Sequence, residues 1–585
     1  MNKAAVYHQA GYSYAYPIDM HSLKIRLKAA KSDLIELYII YGSRYPLDNQ
    51  DPKETKKMEL IASDSLHDYF ETVITVKDSR FRYYFYLNDG REELWYTEKG
   101  FTKVRPHGIW GFGEYFQYPK INKNDIFSQA DWVQDAVFYQ IFPDRFHKSS
   151  TDNSVNYEKW GKRPKSDSFF GGDLQGIIEK LDYLDDLGIN AIYLTPIFKS
   201  SSNHKYNTDD YYSIDPAFGD KKTARRFVVE AHKRGIKVVL DAVFNHCGYD
   251  FFAFKDLREK GANSKYKDWF FVDSFPLKTN PPLNYDTFAN NIKNMPKLNT
   301  SNPEVQSYFL DLAEYWLREL DIDGWRLDVA NEVDHQFWCK FRERLRSIKK
   351  DVYIVGENWH NSEEWLQGDQ FDAIMNYPLA MAIFDFFAYK NIGSREFNNR
   401  LVKNWFLYQE KVNFSMMNLL DSHDTPRIKA IFSNKKAMNL AILFQFTYPG
   451  APMLYYGTEV GMEGGDDPDC RRCMIWDKEE QDLEFFNYYK KLITLRRNFV
   501  SLRRGALKTI IIDEVKNIFA FMRSYKDQKK LVIINNSSIA QKYYLKAEHL
   551  DYQRKIEDHL TGESCTLKND AYMIELPEYS ARILS

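Results

Sequence analysis

From Val133 onward the chain alternates short apolar runs with amphipathic segments, and this alternation constrains the fold more than any other feature. Eight apolar runs have the length and the β-branched or aromatic content of strands. They are AVFYQIF (136–142), INAIYLTP (189–196), IKVVLDAVF (236–244), DGWRLDV (323–329), VYIVGE (352–357), FDAIMNY (371–377), SMMNLLDS (415–422) and APMLYYG (451–457). Strands that alternate with helices predict a parallel sheet with crossover helices, and eight such units predict an α/β fold with a (β/α)8 TIM barrel.

Two helices of this region begin at recognisable caps. Asp173 starts the segment DLQGIIEKLDYLDDLG, whose apolar residues have helical spacing and whose last residue, Gly188, is a stop signal. Asn302 precedes Pro303, and an apolar stripe at 305, 309, 312, 316 and 320 follows. Both segments therefore predict amphipathic helices that pack against the sheet.

The regions on both sides of the predicted barrel have the pattern of β structure. Residues 1–125 contain four strand-like runs separated by turn residues, which predict an N-terminal β-sandwich. Residues 504–585 predict a C-terminal antiparallel β domain. The catalytic barrel would span 126–503, with an insertion after strand three, at 247–301, that is rich in Asn, Lys, Phe and Pro. A long insertion at this face of a barrel usually shapes the substrate cleft.

Composition excludes several classes of partner. The net charge of −2 without a long basic run argues against nucleic acid. The first residues lack the apolar run of a secretory signal, and the most apolar window, 438–457, is interrupted by polar residues and a Pro-Gly pair, which argues against a membrane span. Five cysteines, few and odd in number, favour a reducing cytoplasm.

Four of the predicted strands end in acidic segments. The segments are DAVFNH (241–246), GWRLDVANEV (324–333), VGENWH (355–360) and LLDSHD (419–424). Because the site of a barrel of this kind lies at the C-terminal ends of its strands, we expect these side chains to meet. Retaining hydrolysis of a glycosidic bond needs a carboxylate that attacks the anomeric carbon and a carboxylic acid that protonates the leaving oxygen. The residues available are Asp328, Glu357 and Asp424, flanked by Asp241, His246, Arg326 and His423.

With these ordered segments the chain resembles the α-amylase superfamily (glycoside hydrolase family thirteen). Within that superfamily it looks like the neopullulanase, cyclomaltodextrinase and maltogenic amylase group. The loop SNHKY (202–206), the motif MPKLN (295–299) inside the insertion and Glu332 also carry the resemblance. It spans nearly the whole chain, and residues 1–125 resemble the family thirty-four carbohydrate-binding module.

The resemblance implies a role for each matching residue. Asp328 would be the nucleophile, Glu357 the general acid and then the general base, and Asp424 would hold sugar hydroxyls and help to distort the ring. The residues that would bind or support the substrate are His204, Tyr206, Asp241, Asn245, His246, Arg326, Glu332 and His423. Because Arg326 is two residues before Asp328 on the same strand face, we expect its charge to lower the pKa of Asp328.

The implied substrates are cyclomaltodextrins, maltooligosaccharides and pullulan, cleaved at α-1,4 bonds by double displacement. The residues leave α-1,6 cleavage and transglycosylation open. They also leave two alternatives open. One is an exo-acting α-glucosidase or oligo-1,6-glucosidase, and the other is a catalytically inactive carbohydrate-binding or scaffold protein on the same fold.

The resemblance also bears on assembly and metals. It implies a homodimer, because the N-terminal module of this subgroup often packs over the active site of a partner subunit. No cofactor is required, and calcium is left open. The candidate calcium ligands are Asp152, Asn153, Gly171 and Asp173, although Lys148 beside them disfavours a hard cation.

Overall fold

The computed structural model describes residues 1–45, 51–107, 114–149 and 157–585. In the described residues the chain forms an N-terminal β unit, a central α/β unit and a C-terminal β unit. Each unit has an apolar core of its own, and the largest core belongs to the central unit.

The N-terminal unit is a pair of antiparallel sheets. Its strands are β1 (Ala15–Pro17), β2 (Ser22–Ala30), β3 (Glu36–Ser43), β4 (Glu54–Lys57), β5 (Glu59–Ser63), β6 (His67–Thr75), β7 (Phe81–Asn88), β8 (Glu93–Thr97), β9 (Gly100–Thr102) and β10 (Phe116–Tyr118). One sheet has the order β1-β2-β6-β5, and the other has the order β4-β3-β7-β8-β9 with β10 beside β7. Alternate residues, such as Ile25 of β2 and Phe85 of β7, point into the shared core. The predicted sandwich is confirmed.

The central unit is a barrel of parallel strands. Its described strands are β11 (Phe138–Ile141), β12 (Ala191–Leu194), β15 (Lys237–Ala242), β16 (Gly324–Leu327), β17 (Tyr353–Gly356), β18 (Ala373–Ile374), β19 (Met417–Asn418) and β20 (Ala451–Tyr455), with an antiparallel pair, β13 (Phe198–Ser200) and β14 (Thr208–Ile214), outside the barrel. Their order is β18-β17-β16-β15-β12-β11-β20-β19. A parallel bridge between Met375 and Met417 joins the first strand to the last and closes the barrel. All eight predicted strands are confirmed.

Helices cover the outside of the barrel. Those in the described residues are α1 (Pro143–Phe146), α2 (Leu174–Glu179), α3 (Leu181–Leu187), α4 (Lys221–Lys233), α5 (Phe252–Lys260), α6 (Pro303–Leu320), α7 (His335–Ile348), α8 (Tyr377–Ile383), α9 (Ser394–Leu407), α10 (Glu410–Ser415), α11 (Ile428–Ile431), α12 (Lys435–Thr447), α13 (Leu483–Asn498) and α14 (Val500–Arg504). Asn302 caps α6 as predicted, because its side chain accepts from the backbone of Glu304. Asp173 caps α2, but the helix predicted after it is two helices that break at Lys180, and α3 ends at Gly188 with φ +93°.

The insertion after strand three folds back over the C-terminal ends of the barrel strands. Residues 247–301 contain α5 and then return to the barrel. Lys297 forms an antiparallel bridge with His246, and the Leu298 amide donates to the Asn245 carbonyl at 2.9 Å. The insertion is thus held directly beside the predicted site.

The C-terminal unit is antiparallel, as predicted. Its strands are β21 (Ala506–Asp513), β22 (Ile518–Tyr525), β23 (Gln528–Asn535), β24 (Gln541–Lys546), β25 (Lys555–Glu557), β26 (Ser564–Thr566), β27 (Ala571–Leu576) and β28 (Ser580–Leu584). They form one sheet of order β21-β22-β23-β28 and the pairs β24-β27 and β25-β26. Across the part of the chain that the structure describes, no helix combines the length and the apolar character needed to span a membrane.

Candidate active site

Arg326 is the centre of the predicted site. It lies on β16, fully buried, in register with Asp241 of β15. Its Nη1 donates to both carboxylate oxygens of Asp241, at 3.1 and 3.0 Å, and to Asp328 Oδ1 at 2.9 Å. Its Nη2 lies 2.8 Å from Glu357 Oε2. One cation therefore contacts three carboxylates that come from three neighbouring strands.

A second layer of contacts orients Asp241 from behind. The hydroxyls of Tyr193 and Tyr206 donate to Asp241 Oδ2 at 2.6 and 2.9 Å. The Tyr206 oxygen lies 2.6 Å from His423 Nε2, and the two rings stack at 5.3 Å. Gln140 Nε2 lies 2.7 Å from His423 Nδ1. Because Tyr206 gives its proton to Asp241 and Gln140 donates to Nδ1, these contacts assign the proton of neutral His423 to Nε2.

Glu357 is held on both of its carboxylate oxygens. Its Oε1 accepts from Trp359 Nε1 at 3.2 Å, and its Oε2 accepts from the backbone amide of Val329 at 3.1 Å. The Trp359 ring in turn stacks on Tyr377 with 3.7 Å between centroids. Val329 has φ +45°, a left-handed conformation that is strained for a β-branched residue. Strain of this kind persists where the surroundings fix the backbone, as at a site that must place an amide.

Asp424 lies nearest to solvent among the three predicted acids. Its side chain is 30% exposed, against 8% for Asp328 and 11% for Glu357. Arg471 Nη2 donates to Asp424 Oδ1 at 3.2 Å, and Arg471 Nε donates to the His423 carbonyl at 2.7 Å. Asp424 is thus oriented by a cation at the mouth of the site.

The three acids open into one cleft of about 450 Å³ at the C-terminal ends of the strands. That volume falls in the range typical of small-molecule sites. The residues that line the cleft are His204, Tyr206, His246, Phe288, Met295, Asp328, Val329, Asn331, Glu357, Trp359, Asp424, Asp467 and Arg471. Phe288 and Met295 come from the insertion, so the insertion forms part of the wall.

Three family models match consecutive parts of the chain. "Alpha amylase, N-terminal ig-like domain" matches residues 1–122, "Alpha amylase, catalytic domain" matches 140–505, and "Maltogenic Amylase, C-terminal domain" matches 509–583. The chain belongs to the α-amylase family.

Similar proteins narrow the family to one subgroup. A "Cyclomaltodextrinase" from Thermoanaerobacter pseudethanolicus is 50% identical over 549 residues, which cover 93% of this chain and 94% of the relative. "Neopullulanase 2" from Thermoactinomyces vulgaris is 44% identical over 589 residues, 99% of each chain. A solved structure of a "Cyclomaltodextrinase" matches with a TM-score of 0.95 and 41% identity, and all of both chains is covered. This α-amylase family member is therefore a glycoside hydrolase of the α-glucan-cleaving subgroup that the sequence motifs predicted.

Three carboxylates of this α-amylase family site, those of Asp241, Asp328 and Asp424, have raised pKa values. Burial raises the pKa of Asp241 to about 6 and the pKa of Asp328 well above its usual range, and the neighbouring carboxylates add to the shift of Asp328. Burial also raises the pKa of Asp424. The expectation that Arg326 leaves the pKa of Asp328 lowered is wrong, since the guanidinium opposes the shift but does not outweigh burial. For these three groups burial is the largest influence on the pKa, and it outweighs the neighbouring cations.

The histidines of the cleft are neutral. Burial lowers the pKa of His204 to about 3, and the positive charge of Arg471 contributes to the shift in the same direction. Burial and the positive charge of Lys297 lower the pKa of His246 to about 3. His246 is buried, and its Nε2 has no hydrogen-bond partner among the described residues. A buried ring nitrogen without a partner, in a residue that lines the cleft, is available to a sugar hydroxyl.

The predicted substrate-binding residues fall into three positions. His204, Tyr206 and His246 line the cleft. Asp241, Arg326 and His423 lie behind its wall, where they orient the acids. Asn245 and Glu332 do not line the cleft, and both contact Lys297.

Several residues of the site were not predicted. Gln140 and Tyr193 lie on β11 and β12 as direct partners, and they reach His423 and Asp241. Both face the barrel interior, so the strand alternation carried a signal for polar residues that point inward. Arg471 had no such signal, because it lies in a short 3-10 turn, Asp469–Arg471, after the last barrel strand. Trp359 was within the motif VGENWH, two residues after Glu357.

The candidate calcium ligands are only partly described. Asp152 and Asn153 lie outside the described residues. The carboxylate of Asp173 already accepts from the Gly176 amide and from Ser149 Oγ, both at 2.6 Å. In the described ranges no group of three or more His, Cys, Asp or Glu side chains could hold a metal ion. Gly171 donates its amide to Asp144 at 3.0 Å. Calcium binding stays a prediction that depends on Asp152 and Asn153.

Proposed function

We propose that this enzyme hydrolyses cyclomaltodextrins, maltooligosaccharides and pullulan by double displacement, with retention of the anomeric configuration. The observation that carries the proposal is the set of three carboxylates around Arg326 at the base of the cleft, with Asp424 at its mouth. The names of the relatives support the substrate class.

In the first step, an oxygen of Asp328 attacks the anomeric carbon while the bond to the leaving oxygen breaks. Arg326 stabilises the attacking carboxylate through its 2.9 Å hydrogen bond. Glu357 gives its proton to the leaving oxygen. Because Glu357 Oε2 already accepts from Val329 and contacts Arg326, Oε1 is the oxygen left to carry that proton. General acid help of this kind contributes roughly 10²–10⁴-fold in rate.

In the second step, Glu357 acts as the base. The carboxylate left by proton transfer takes a proton from water, and the water oxygen attacks the anomeric carbon as Asp328 departs. A sugar hydroxyl in place of water would give transglycosylation by the same route. Trp359, which donates to Glu357 Oε1 and lines the cleft, lies where the acceptor must approach.

Sugar hydroxyls find donors and acceptors along the cleft. Asp424 presents a partly exposed carboxylate, and His246 Nε2 is unpaired among the described residues. Hydrogen bonds that strengthen as positive charge develops on the sugar would stabilise the transition state.

A product time course on cyclodextrin, pullulan and maltotriose tests the proposal, with Glu357→Gln as the matched inactive control. We expect cyclodextrin to open and then shorten to maltose and glucose. An exo-acting α-glucosidase would release glucose from maltotriose, whereas an oligo-1,6-glucosidase would leave its α-1,4 bonds intact. Neither would open the ring, because a ring has no end. An inactive carbohydrate-binding protein would release nothing from any of the three.

We also propose that two copies associate as a homodimer and that the enzyme works in the cytoplasm. The dimer is supported by the resemblance of the N-terminal unit to a module that packs over a partner's active site. The cytoplasm is supported by the five cysteines, all free thiols. Sedimentation at micromolar concentration would separate monomer from dimer, and a monomer would remove the assembly proposal.

We propose that the reaction needs no cofactor, because carboxylates and donors from the chain supply every group in the two steps above. Dialysis against EDTA should leave kcat unchanged. A loss that calcium restores would show that the predicted ion is required.

A further inference from the structure

The two motifs that mark the subgroup in the sequence are in direct contact. Lys297 belongs to MPKLN, and its Nζ lies 2.5 Å from Glu332 Oε2. The same Nζ donates to Asn245 Oδ1 at 2.6 Å. The side chain of Lys297 is 18% exposed and that of Glu332 is 47% exposed, and the pair adjoins His246 and Asn331, which line the cleft.

We propose that Lys297 is a positioning residue that sets the affinity of the cleft for its α-glucan substrate. It would do so by fixing the insertion to the two strand ends that carry His246 and Asp328. This inference rests on the function proposed above, since it concerns how the same cleft binds.

The backbone around Lys297 is already anchored on the end of strand three. Lys297 pairs with His246, the Cys247 amide donates to the Pro296 carbonyl at 3.1 Å, and the neighbouring Leu298 amide bonds to Asn245. The backbone that carries the Lys297 side chain is therefore held in one position. Because the backbone is already ordered, only side-chain entropy is lost when the ammonium group makes its two contacts.

On one side, Lys297 acts through Asn245 on the wall of the cleft. Asn245 Nδ2 lies 3.3 Å from His246 Nδ1, and the His246 ring lies 4.9 Å from that of Phe288. His246 and Phe288 both line the cleft, as does Met295 from the same motif. A shift of Asn245 would move the ring nitrogen that is left open to the sugar.

On the other side, Lys297 reaches the segment that follows the predicted nucleophile. Glu332 ends a short 3-10 turn, Ala330–Glu332, that begins two residues after Asp328. Asn331, inside this turn, lines the cleft. The ion pair thus links the insertion to the segment that follows Asp328. One lysine therefore contacts segments on both sides of the cleft.

The test compares three variants on cyclodextrin. Lys297→Met keeps the length of the side chain but removes its charge. Lys297→Arg restores the charge, and Lys293→Met is the control because Lys293 is an exposed lysine of the same insertion. Steady-state kcat and KM and the melting temperature are measured for each.

We expect Lys297→Met to raise KM up to about tenfold, because a displaced His246 ring would lose one hydrogen bond to the sugar, with a much smaller change in kcat. Lys297→Arg should recover part of the loss, and Lys293→Met should behave as the wild type. A fall in melting temperature with KM unchanged would mean that Lys297 is only structural and would overturn the inference.

Glu332→Gln gives a second route if Lys297→Met does not fold, because it removes only the charge of the partner in the Lys297–Glu332 ion pair. Its KM should rise less than that of Lys297→Met, and the double variant should add little to Lys297→Met alone. Strictly additive effects on KM would contradict a shared contact. A wild-type protein that cleaves no glucan would instead refute the proposed function, which separates the two failures.

Discussion

The two ends of strand β16 carry charge clusters of opposite composition. At the N-terminal end, Asp323 is one carboxylate among three bases, with His232, Lys237 and Lys349 at 2.7, 2.9 and 3.0 Å. At the C-terminal end, Arg326 is one cation among three carboxylates. Each cluster is centred on a buried charged side chain, and the second cluster opens into the cleft described above.

The pKa shifts show what this difference means. Burial opposes ionisation at Asp323, but hydrogen bonds from His232 and the Val238 amide and the charge of Lys349 hold its pKa below its usual range. At the other end burial prevails, and the pKa of Asp241 rises to about 6. A single carboxylate with three bases is satisfied, which suits a structural role. At the other end one cation faces three carboxylates, and burial raises the pKa of two of them, Asp241 and Asp328, as is common at sites that carry out chemistry.

The largest effect should come from removing the acids at the C-terminal end. Glu357→Gln should lower kcat on maltooligosaccharides by roughly 10²–10⁴-fold, because the leaving oxygen loses its proton donor. Asp328→Asn should abolish turnover, because no carboxylate remains to attack the sugar. Steady-state assays with circular dichroism as the folding control check both. Turnover near the wild-type rate in either variant would contradict the assigned roles.

Removal of the shared cation should cost stability as well as activity. Arg326→Met leaves Asp241, Asp328 and Glu357 without their common partner, and a broken buried pair of this kind costs about 3–5 kcal/mol of unfolding free energy. Arg326→Lys is the matched control that keeps the charge but loses the fork geometry. Denaturant unfolding measures the cost, and a Met variant as stable as the wild type would show that the cluster is not held by this cation.

The opposite end should show the reverse pattern. Asp323→Asn should lower the free energy of unfolding by about 1–3 kcal/mol while kcat and KM stay unchanged. The loss is smaller than at Arg326 because the three bases are 28%, 34% and 19% exposed and can be hydrated. A drop in kcat for Asp323→Asn would mean that the two ends of β16 are not independent.

The two ends of β16 should also differ in the sign of their pH dependence. A lowered folded-state pKa, as at Asp323, gives stability that is present above the unfolded value near 4 and is lost as the pH falls further. A raised folded-state pKa, as at Asp241, gives up to ~3 kcal/mol of stability at low pH, and this stability is lost as the pH rises from about 4 to 6. Unfolding of Asp241→Asn and Asp323→Asn between pH 3.5 and 7 should therefore diverge from the wild type in opposite directions.

Much of the fold could be predicted, because hydrophobic periodicity and helix-capping signals depend on residues that are close in sequence. The eight barrel strands and the capped helix α6 follow from runs and caps that a short window contains. The break at Lys180 could not be predicted, since the apolar spacing of 173–188 continues through it. The predicted strands also extend too far toward the C-terminus, since Asp328 and Glu357 follow β16 and β17 and do not lie within them.

The site could be predicted where one segment holds both the strand and its acid. It could not be predicted where the partner is distant in sequence. Gln140 lies 283 residues from His423, and no pattern near either residue pairs them. The pKa of Asp328 was predicted in the wrong direction because Arg326 is visible in the sequence and burial is not.

The most direct test of the central claim is a search for a covalent sugar on Asp328. A 5-fluoro maltosyl fluoride, or the Glu357→Gln variant with α-maltosyl fluoride, should trap the glycosyl-enzyme, and peptide mass mapping should place the added mass on the peptide that contains Asp328. No adduct, or an adduct on any other residue, would contradict an account in which Asp328 attacks the sugar beside Arg326.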